Sequence, residues 1–357
     1  MPAAPLVIPQ ESFMSRTTRL PVSLLRAAAC TGIAALTLTA CGSGSGAGSG
    51  PGSTDSGSGD VKVGLITKTD TNPFFVKMKE GAEKAAKAEG VKLMTAAGKF
   101  DGDNAGQITA IENMVASGVK GILITPSESK AIVPAIAKAR AKGVLVIALD
   151  TPTEPDSAVD ALFATDNLKA GELIGEYAKA AMKGRTAKIA TLDLAPGVSV
   201  GVQRHNGFLK GFGIEEKDPA LVCSQDTGGD QAKGQTAMEN CLQKEPGINL
   251  VYTINEPAAL GAYTALKAKG REKDVLIVSV DGGCTGTQAV KDGKIAATSQ
   301  QYPLKMAAEG VKAVVTYAQD GKKASGYTDT GVTLISEKPQ DGFTSKDAAY
   351  GLENCWG

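Results

Sequence analysis

The sequence predicts an α/β protein of two doubly wound, parallel-sheet lobes. Three observations carry that prediction. Short β-branched runs alternate with longer amphipathic stretches from Asp60 onward, glycines punctuate the helix ends, and a body of about 300 residues is more than one such core holds.

The apolar runs are 61–66, 92–95, 121–125, 144–149, 188–192, 250–254 and 276–280. Each has the length of a strand and enough apolar character to be covered on both faces, as in a parallel sheet. Helical stretches lie between them at 74–88, 105–116, 129–141, 168–181, 231–243 and 257–269. Gly90, Gly118, Gly143 and Gly270 follow helix ends, where a left-handed cap favours glycine. The polar Ala164-Thr165-Asp166-Asn167 stretch has no strand pattern and is a candidate crossover between lobes. No long linker separates the halves, so the lobes are expected to share several hinge strands. A cleft then forms between them at the carboxyl ends of the strands, where open α/β sheets bind ligands.

Residues 1–40 read as a secretory signal peptide. Arg16, Arg19 and Arg26 precede a small-residue apolar run from Ala27 to Ala40, interrupted by threonines and Cys30 and too short for a spanning helix. Either Met1 or Met14 can serve as the start. Leu38-Thr39-Ala40-Cys41 resembles the bacterial lipobox, which implies lipidation at Cys41; the alternative is an ordinary signal peptide that contains a cysteine. Residues 42–59 are almost all Gly and Ser, a flexible tether with no apolar face to bury. Its loose G-x-G spacing follows no strand, so it is not a nucleotide loop. The expectation is a secreted protein held at the outer face of the cell membrane through lipid alone.

With Cys30 in the leader and Cys41 lipidated, Cys223, Cys241, Cys284 and Cys355 remain. An even set in an exported chain is a disulfide framework with three possible pairings. We favour Cys223–Cys241, which closes a short loop, and Cys284–Cys355, which ties down the C-terminus. No C-x-x-C spacing occurs and His205 is the sole histidine, so neither a metal nor another cofactor is expected. Lys plus Arg and Asp plus Glu each number 38, and no basic tract points to nucleic acid.

Catalytic patterns are weak. There is no G-x-S-x-G elbow for a nucleophilic serine, and a lone histidine is more often packed or hydrogen bonded than catalytic. The stretch from Gly228 to Thr236 is superficially similar to a phosphate loop, but its lysine and glycine are in the wrong order. No enzyme is expected.

The strand ends carry a different chemistry. Run 61–66 leads into Thr67-Lys68-Thr69-Asp70-Thr71-Asn72-Pro73-Phe74-Phe75, where Asn72 fits a helix N-cap and Pro73 the first helical position. Sugars ask for such a mouth: a flat ring against their C–H face and polar side chains for their hydroxyls. By itself the Phe pair is more often core than ligand platform. Run 144–149 ends in Asp150, run 250–254 in Asn255-Glu256-Pro257 and run 276–280 in Asp281-Gly282-Gly283. Each is either a plain N-cap or a member of a converging set able to chelate vicinal hydroxyls, with Arg204 as a forked donor.

Taken together, Asn72-Pro73-Phe74-Phe75, Leu149-Asp150, Thr165-Asp166-Asn167, Asn255 with Ala259-Leu260-Gly261-Ala262, Val280-Asp281-Gly282 and Gln300-Gln301 resemble, in order and spacing, the type I periplasmic binding proteins of sugar transporters, the ribose-binding group. The resemblance spans residues 61–335. The Thr-Lys-Thr opening, the Val280-Asp281-Gly282-Gly283-Cys284 segment and the tail from Leu352 to Gly357 are most similar to fructose-binding components of ABC importers. It implies Asn72, Asp150, Arg204, Asn255, Asp281 and Gln301 on the sugar hydroxyls, Phe74 and Phe75 against the ring, and Asp230 as a further polar contact. Lys68 stands where ribose binders have a small hydroxyl residue, which implies a hexose. Ribose binders also offer second-lobe aromatics near Gly229 and Val280; their absence here leaves Tyr302 or His205 to supply the opposite face.

The resemblance also implies three crossovers, near Thr165, Gln301 and residues 327–332, with one lobe of residues 60–165 plus 302–330 and another of 166–301 plus 331–357. A monomer that delivers a monosaccharide to an ABC permease is the expected role. A sugar sensor signalling to a membrane receptor would share these features. A repressor would instead carry a helix-turn-helix where this chain has its leader, and an enzyme would turn its sugar over.

Overall fold

The computed structural model describes residues 61–342 and 344–357. The leader, Cys41 and the Gly/Ser tether lie outside the described residues.

The first sheet and its helices begin with β1 (Lys62–Thr67), α1 (Pro73–Ala88), β2 (Lys92–Ala97), α2 (Asn104–Ala116), β3 (Gly121–Ile124), α3 (Val133–Ala141), β4 (Leu145–Leu149) and β5 (Ala161–Ala164). The second follows with α4 (Asn167–Met182), β6 (Ile189–Asp193), α5 (Ser199–Phe212), β7 (Leu221–Asp226), α6 (Gln231–Lys244) and β8 (Leu250–Thr253). It continues through α7 (Glu256–Ala268), β9 (Leu276–Asp281), α8 (Cys284–Lys291) and β10 (Ala297–Gln300). The chain then returns with α9 (Pro303–Asp320) and β11 (Gly326–Asp329), and ends in β12 (Thr333–Ile335) and α10 (Ala348–Asn354).

The strand orders are β11-β5-β4-β3-β1-β2 and β12-β10-β9-β8-β6-β7. Every pairing is parallel except β10 with β12. The result is two α/β lobes. Period-two alternation sorts each strand's side chains between two helix layers. In the first lobe Val63, Leu65, Leu123 and Ile147 face Met78 of α1 and Met306 and Val311 of α9. Ile66, Ile122, Ile124 and Val146 face Ile111 and Met114 of α2 and Ile136 of α3. The second lobe repeats the arrangement: Leu192, Val251 and Ile277 face α6 and α7, while Ile189, Tyr252 and Val278 face α4 and α5.

Hand-overs between the sheets follow β5, β10 and β11, and they touch one another. Thr330 donates its N–H to Ala164 O at 2.9 Å, and Thr165 Oγ1 donates to Gly331 O at 3.1 Å. Both disulfides lie in the second lobe, Cys223–Cys241 between β7 and α6 and Cys284–Cys355 between α8 and the tail.

One close approach positions the site. Helices α4 and α5 touch through glycines: a Cβ on Gly171 would sit 2.1 Å from Arg204 O, and one on Gly207 2.1 Å from Leu168 O. Only with those side chains absent can the first turn of α4, carrying Asn167, lie against Arg204 on α5.

Candidate functional site

Loops at the carboxyl ends of the strands from both sheets meet at one cleft. Its inner end is a cavity of about 30 Å³ lined by Lys68, Asn72, Phe74, Phe75, Asp150, Arg204, Asn255, Asp281 and Gln301, together with Asp101. An outer cavity of about 570 Å³ continues from it and shares Asn72, Phe75, Asp101 and Asp281. Asp230 lines the outer cavity and not the inner one.

Several of these side chains are caps as well as cleft groups. Asn72 Oδ1 accepts from Phe74 N at 3.0 Å, ahead of Pro73 in the first helical position of α1. Asn255 Oδ1 accepts from Ala258 N, and its Nδ2 donates to Gly229 O at 3.0 Å. Asp230 Oδ1 accepts from Lys233 N at the start of α6. Capping fixes each rotamer, so the cap and cleft roles coexist.

Two strand ends are strained. Asp150 has φ 62° and Asp281 φ 152°; beside them, the only other described non-glycine residue with positive φ is Lys183. Such conformations cost about 1–3 kcal/mol each and persist where the surroundings over-determine them. Here the surroundings centre on Arg204, which is buried. Its Nε donates to Asn167 Oδ1 at 2.8 Å, Nη1 to Ile254 O at 3.0 Å, and Nη2 to Gln301 Oε1 at 3.1 Å and Asp150 Oδ1 at 3.5 Å. Asp281 Oδ1 lies 3.9 Å from Nη1 and accepts from Gln301 Nε2 at 2.8 Å. Asn167 Nδ2 donates to Asp150 O at 3.2 Å, so the second lobe holds both ends of that residue. Lys68, also buried, has Nζ 3.8 Å from Asp101 Oδ2.

Burial pushes Asp281 above the usual carboxyl range, although Arg204 and Gln301 pull it back. Burial and the charge of Asp281 raise Glu256 as well. Glu256 accepts from Gly282 N at 2.8 Å, Gly283 N at 3.0 Å and Thr298 Oγ1 at 2.7 Å. It therefore pins the turn that aims Asp281. Asp101 is raised by burial, with Lys68 opposing.

These shifts have a sign. A carboxyl that titrates higher folded than unfolded binds more protons in the native state across the interval, so stability falls as pH rises through it. The window runs from the ordinary carboxyl range up to about 8, where Glu256 is held. Urea unfolding is expected to show wild type losing stability across that window and Glu256→Gln losing less. Equal slopes for the two proteins would contradict it.

The structure corrects the expectation for the second stacking face. Tyr302 is turned to Thr333, its hydroxyl 2.9 Å from Oγ1, and His205 sits between Asp193 at 3.0 Å and Glu216 at 2.9 Å. Neither lines the cleft. Burial opposes the imidazolium of His205, but its hydrogen bond to Asp193 and the nearby acid charges outweigh it and raise its pKa. Residues not singled out from sequence include Asp101, Asn167, Glu256 and Trp356. Asn167 and Glu256 stood beside residues already noted, in Thr165-Asp166-Asn167 and Asn255-Glu256-Pro257. The signal for Trp356 was a sole tryptophan next to a paired cysteine.

A model of the periplasmic binding protein domain matches residues 63–323. The chain belongs to that family. Among curated relatives, the ribose import binding protein of Bacillus subtilis (strain 168) is 35% identical over 280 residues, 77% of this chain and 87% of that protein. The D-allose-binding periplasmic protein of Escherichia coli (strain K12) is 30% identical over 264 residues, 72% of this chain and 85% of that protein. The crystal structure of an ABC transporter periplasmic solute binding protein from Actinobacillus succinogenes 130z with bound D-allose superposes with TM-score 0.70 at 28% identity. That likeness covers 78% of this chain and 98% of the other.

Proposed function

We propose that this protein binds a monosaccharide between its lobes outside the cell and delivers it to the permease of an ABC importer. One observation carries the reading: carboxylates and amides from strand ends of both sheets, a guanidinium from helix α5 and two Phe rings surround one cleft. Such groups recognise a polyol by hydrogen bonds and leave its C–H faces to aromatic carbon. Binding proteins for ribose and allose among the relatives support the same class.

Fructose is the first candidate. Support comes from the likeness of the Thr-Lys-Thr opening and the tail to fructose-binding components, and from Lys68, whose long cationic arm is buried in the inner cavity. Ribose and other pentoses or hexoses are the alternatives.

The inner cavity holds about one or two waters, so a sugar needs the lobes to part before it enters. Closure then adds contacts from the opposite lobe, and the ligand favours the closed form by its differential affinity for it. The permease reads the closed shape, and no bond is made or broken. We place the protein as a monomer on the outer face of the membrane, held by lipid on Cys41; Cys41→Ser is expected to move it from the membrane fraction to the medium.

Titration calorimetry on the body from Asp60 onward, stripped of carried-over ligand, tests the reading against fructose, ribose, allose, mannose, glucose, galactose and myo-inositol. One-to-one binding to fructose above the rest is the expected result. Tight binding to another member moves the specificity, and silence across the panel sinks the sugar reading.

A further inference from the structure

The cleft is asymmetric in its aromatic lining. Phe74 and Phe75 both come from α1 of the first lobe, and the first lobe also supplies Phe100. On the second-lobe side one aromatic side chain lines the outer cavity, Trp356, the penultimate residue of the chain, and it reaches the inner one through its contact with Phe74. A pyranose or furanose ring has two C–H faces, and on the second-lobe side of the inner cavity the apolar lining is aliphatic, from Leu194, Val200 and Ile254, with no flat ring.

Four separate contacts fix this tryptophan. Cys355 beside it is bonded to Cys284 at the start of α8. Its carbonyl accepts from Cys284 N at 3.0 Å, so the last residues run alongside Gly283. Its indole Nε1 donates to Gln301 O at 2.8 Å, which satisfies the ring's polar end at the hand-over after β10. Its ring meets Phe74 edge to face, centroids 5.4 Å apart at 76°. The aromatic surface thus spans from one lobe to the other.

Local sequence makes room for it. A Cβ on Gly283 would lie 3.3 Å from two indole carbons and 3.3 Å from Glu256 Oε2, so any side chain there would crowd the ring and the turn together. The same turn carries Asp281. Gln301, which accepts from the indole through its carbonyl, also donates its side-chain amide to Asp281 and accepts from Arg204. The tail is therefore wired to the polar groups of the cleft.

We propose that Trp356 is the second aromatic wall of the sugar site, carried there by the disulfide-held C-terminal tail. The assignment rests on the sugar reading above and adds the residue that reads the far face of the ring. Trp356 packs on Phe74 while the cleft is shut. As the lobes part, that edge-to-face contact opens, and the sugar ring takes its place on the indole.

Because Trp356 is the only tryptophan, the emission of the unlabelled mature protein, excited beyond the tyrosine absorption, reports on this wall alone. Saturating sugar is expected to shift or quench that emission with the midpoint found by calorimetry. Trp356→Ala is expected to weaken binding by about tenfold or more, and thermal unfolding shows whether it still folds. A second pair removes dependence on that variant: Trp356→Phe keeps a flat ring and is expected to bind, while Trp356→Leu fills space without one and is expected to bind weakly. Wild-type affinity in Trp356→Leu, or an emission spectrum that ignores saturating sugar, overturns the assignment and leaves the sugar reading standing. A wild type silent to every sugar overturns both.

Discussion

Replacing Arg204 by Ala is expected to cost about 3–5 kcal/mol of stability and to abolish sugar binding in whatever protein still folds. The guanidinium joins Asn167, Ile254 O, Gln301 and Asp150 and lies beside Asp281. Removing it leaves two buried carboxylates facing each other's charge without the guanidinium between them, at strand ends whose backbone is already strained. Breaking a buried pair from one side costs far more than the pair is worth, because the abandoned partner keeps its desolvation penalty. Arg204→Lys separates charge from geometry. A lysine restores a cation but not the planar fork, so it is expected to recover part of the stability and little of the binding. Urea unfolding and calorimetry on the same samples check both. Near-native stability in Arg204→Ala would mean that the network is not what holds these strand ends.

Replacing Cys284 and Cys355 together by Ser is the second large effect. The bond spans 71 residues of sequence. A cross-link over a loop of that size removes about 4 kcal/mol of denatured-state entropy in the chain-entropy model, against a usual range of about 2–4 kcal/mol. The bond over 18 residues, Cys223–Cys241, closes a smaller loop and is expected to contribute less. The double variant should therefore unfold at distinctly lower urea than a Cys223→Ser, Cys241→Ser variant. The opposite order would mean that folded-state packing around β7 and α6, and not loop length, sets the contribution. Loss of the longer bond also releases the tail that carries Trp356 and Gly357 at the cleft.

Much of this was legible in the chain because the first sheet and the ends of its strands obey local rules. Asn72-Pro73 announces the start of α1, and the glycines at 90, 118, 143 and 270 all adopt positive φ after their helices. Strand ends at Asp150, Asn255 and Asp281 could be read as candidates because an apolar run stopping at a polar side chain is a local signal. What stayed hidden depends on long-range contacts. Strand β10 is Ala-Thr-Ser-Gln and fully buried, yet it shows no apolar run. Its side-chain donors find partners at distant places: Thr298 at Glu256, Ser299 at Ala170 O, Gln300 at Gly282 O and Gly351 O. Helix α3 begins at Val133, later than the pattern from Ser129 suggests, because Ser129 bonds instead to Gly197 and Ser199 of the second lobe. Helix α5 carries glycines that propensity counts against, and its contact with α4 is what makes them necessary. Trp356 reaches the cleft through a disulfide and a bond to a residue 55 positions away, neither of which a local pattern contains.

On the proposed function, one sugar is gripped from both lobes at once. Asn72 stands on the first lobe and Asp281 on the second, and both line the inner cavity and its outer continuation. The most direct measurement is calorimetric titration of the preferred sugar into wild type, Asn72→Ala and Asp281→Ala, each first shown to unfold cooperatively. Each substitution is expected to weaken binding by about tenfold or more, the cost of a buried polar partner left unpaired. Wild-type affinity in either variant would contradict a grip from both lobes, and in both it would place the ligand elsewhere.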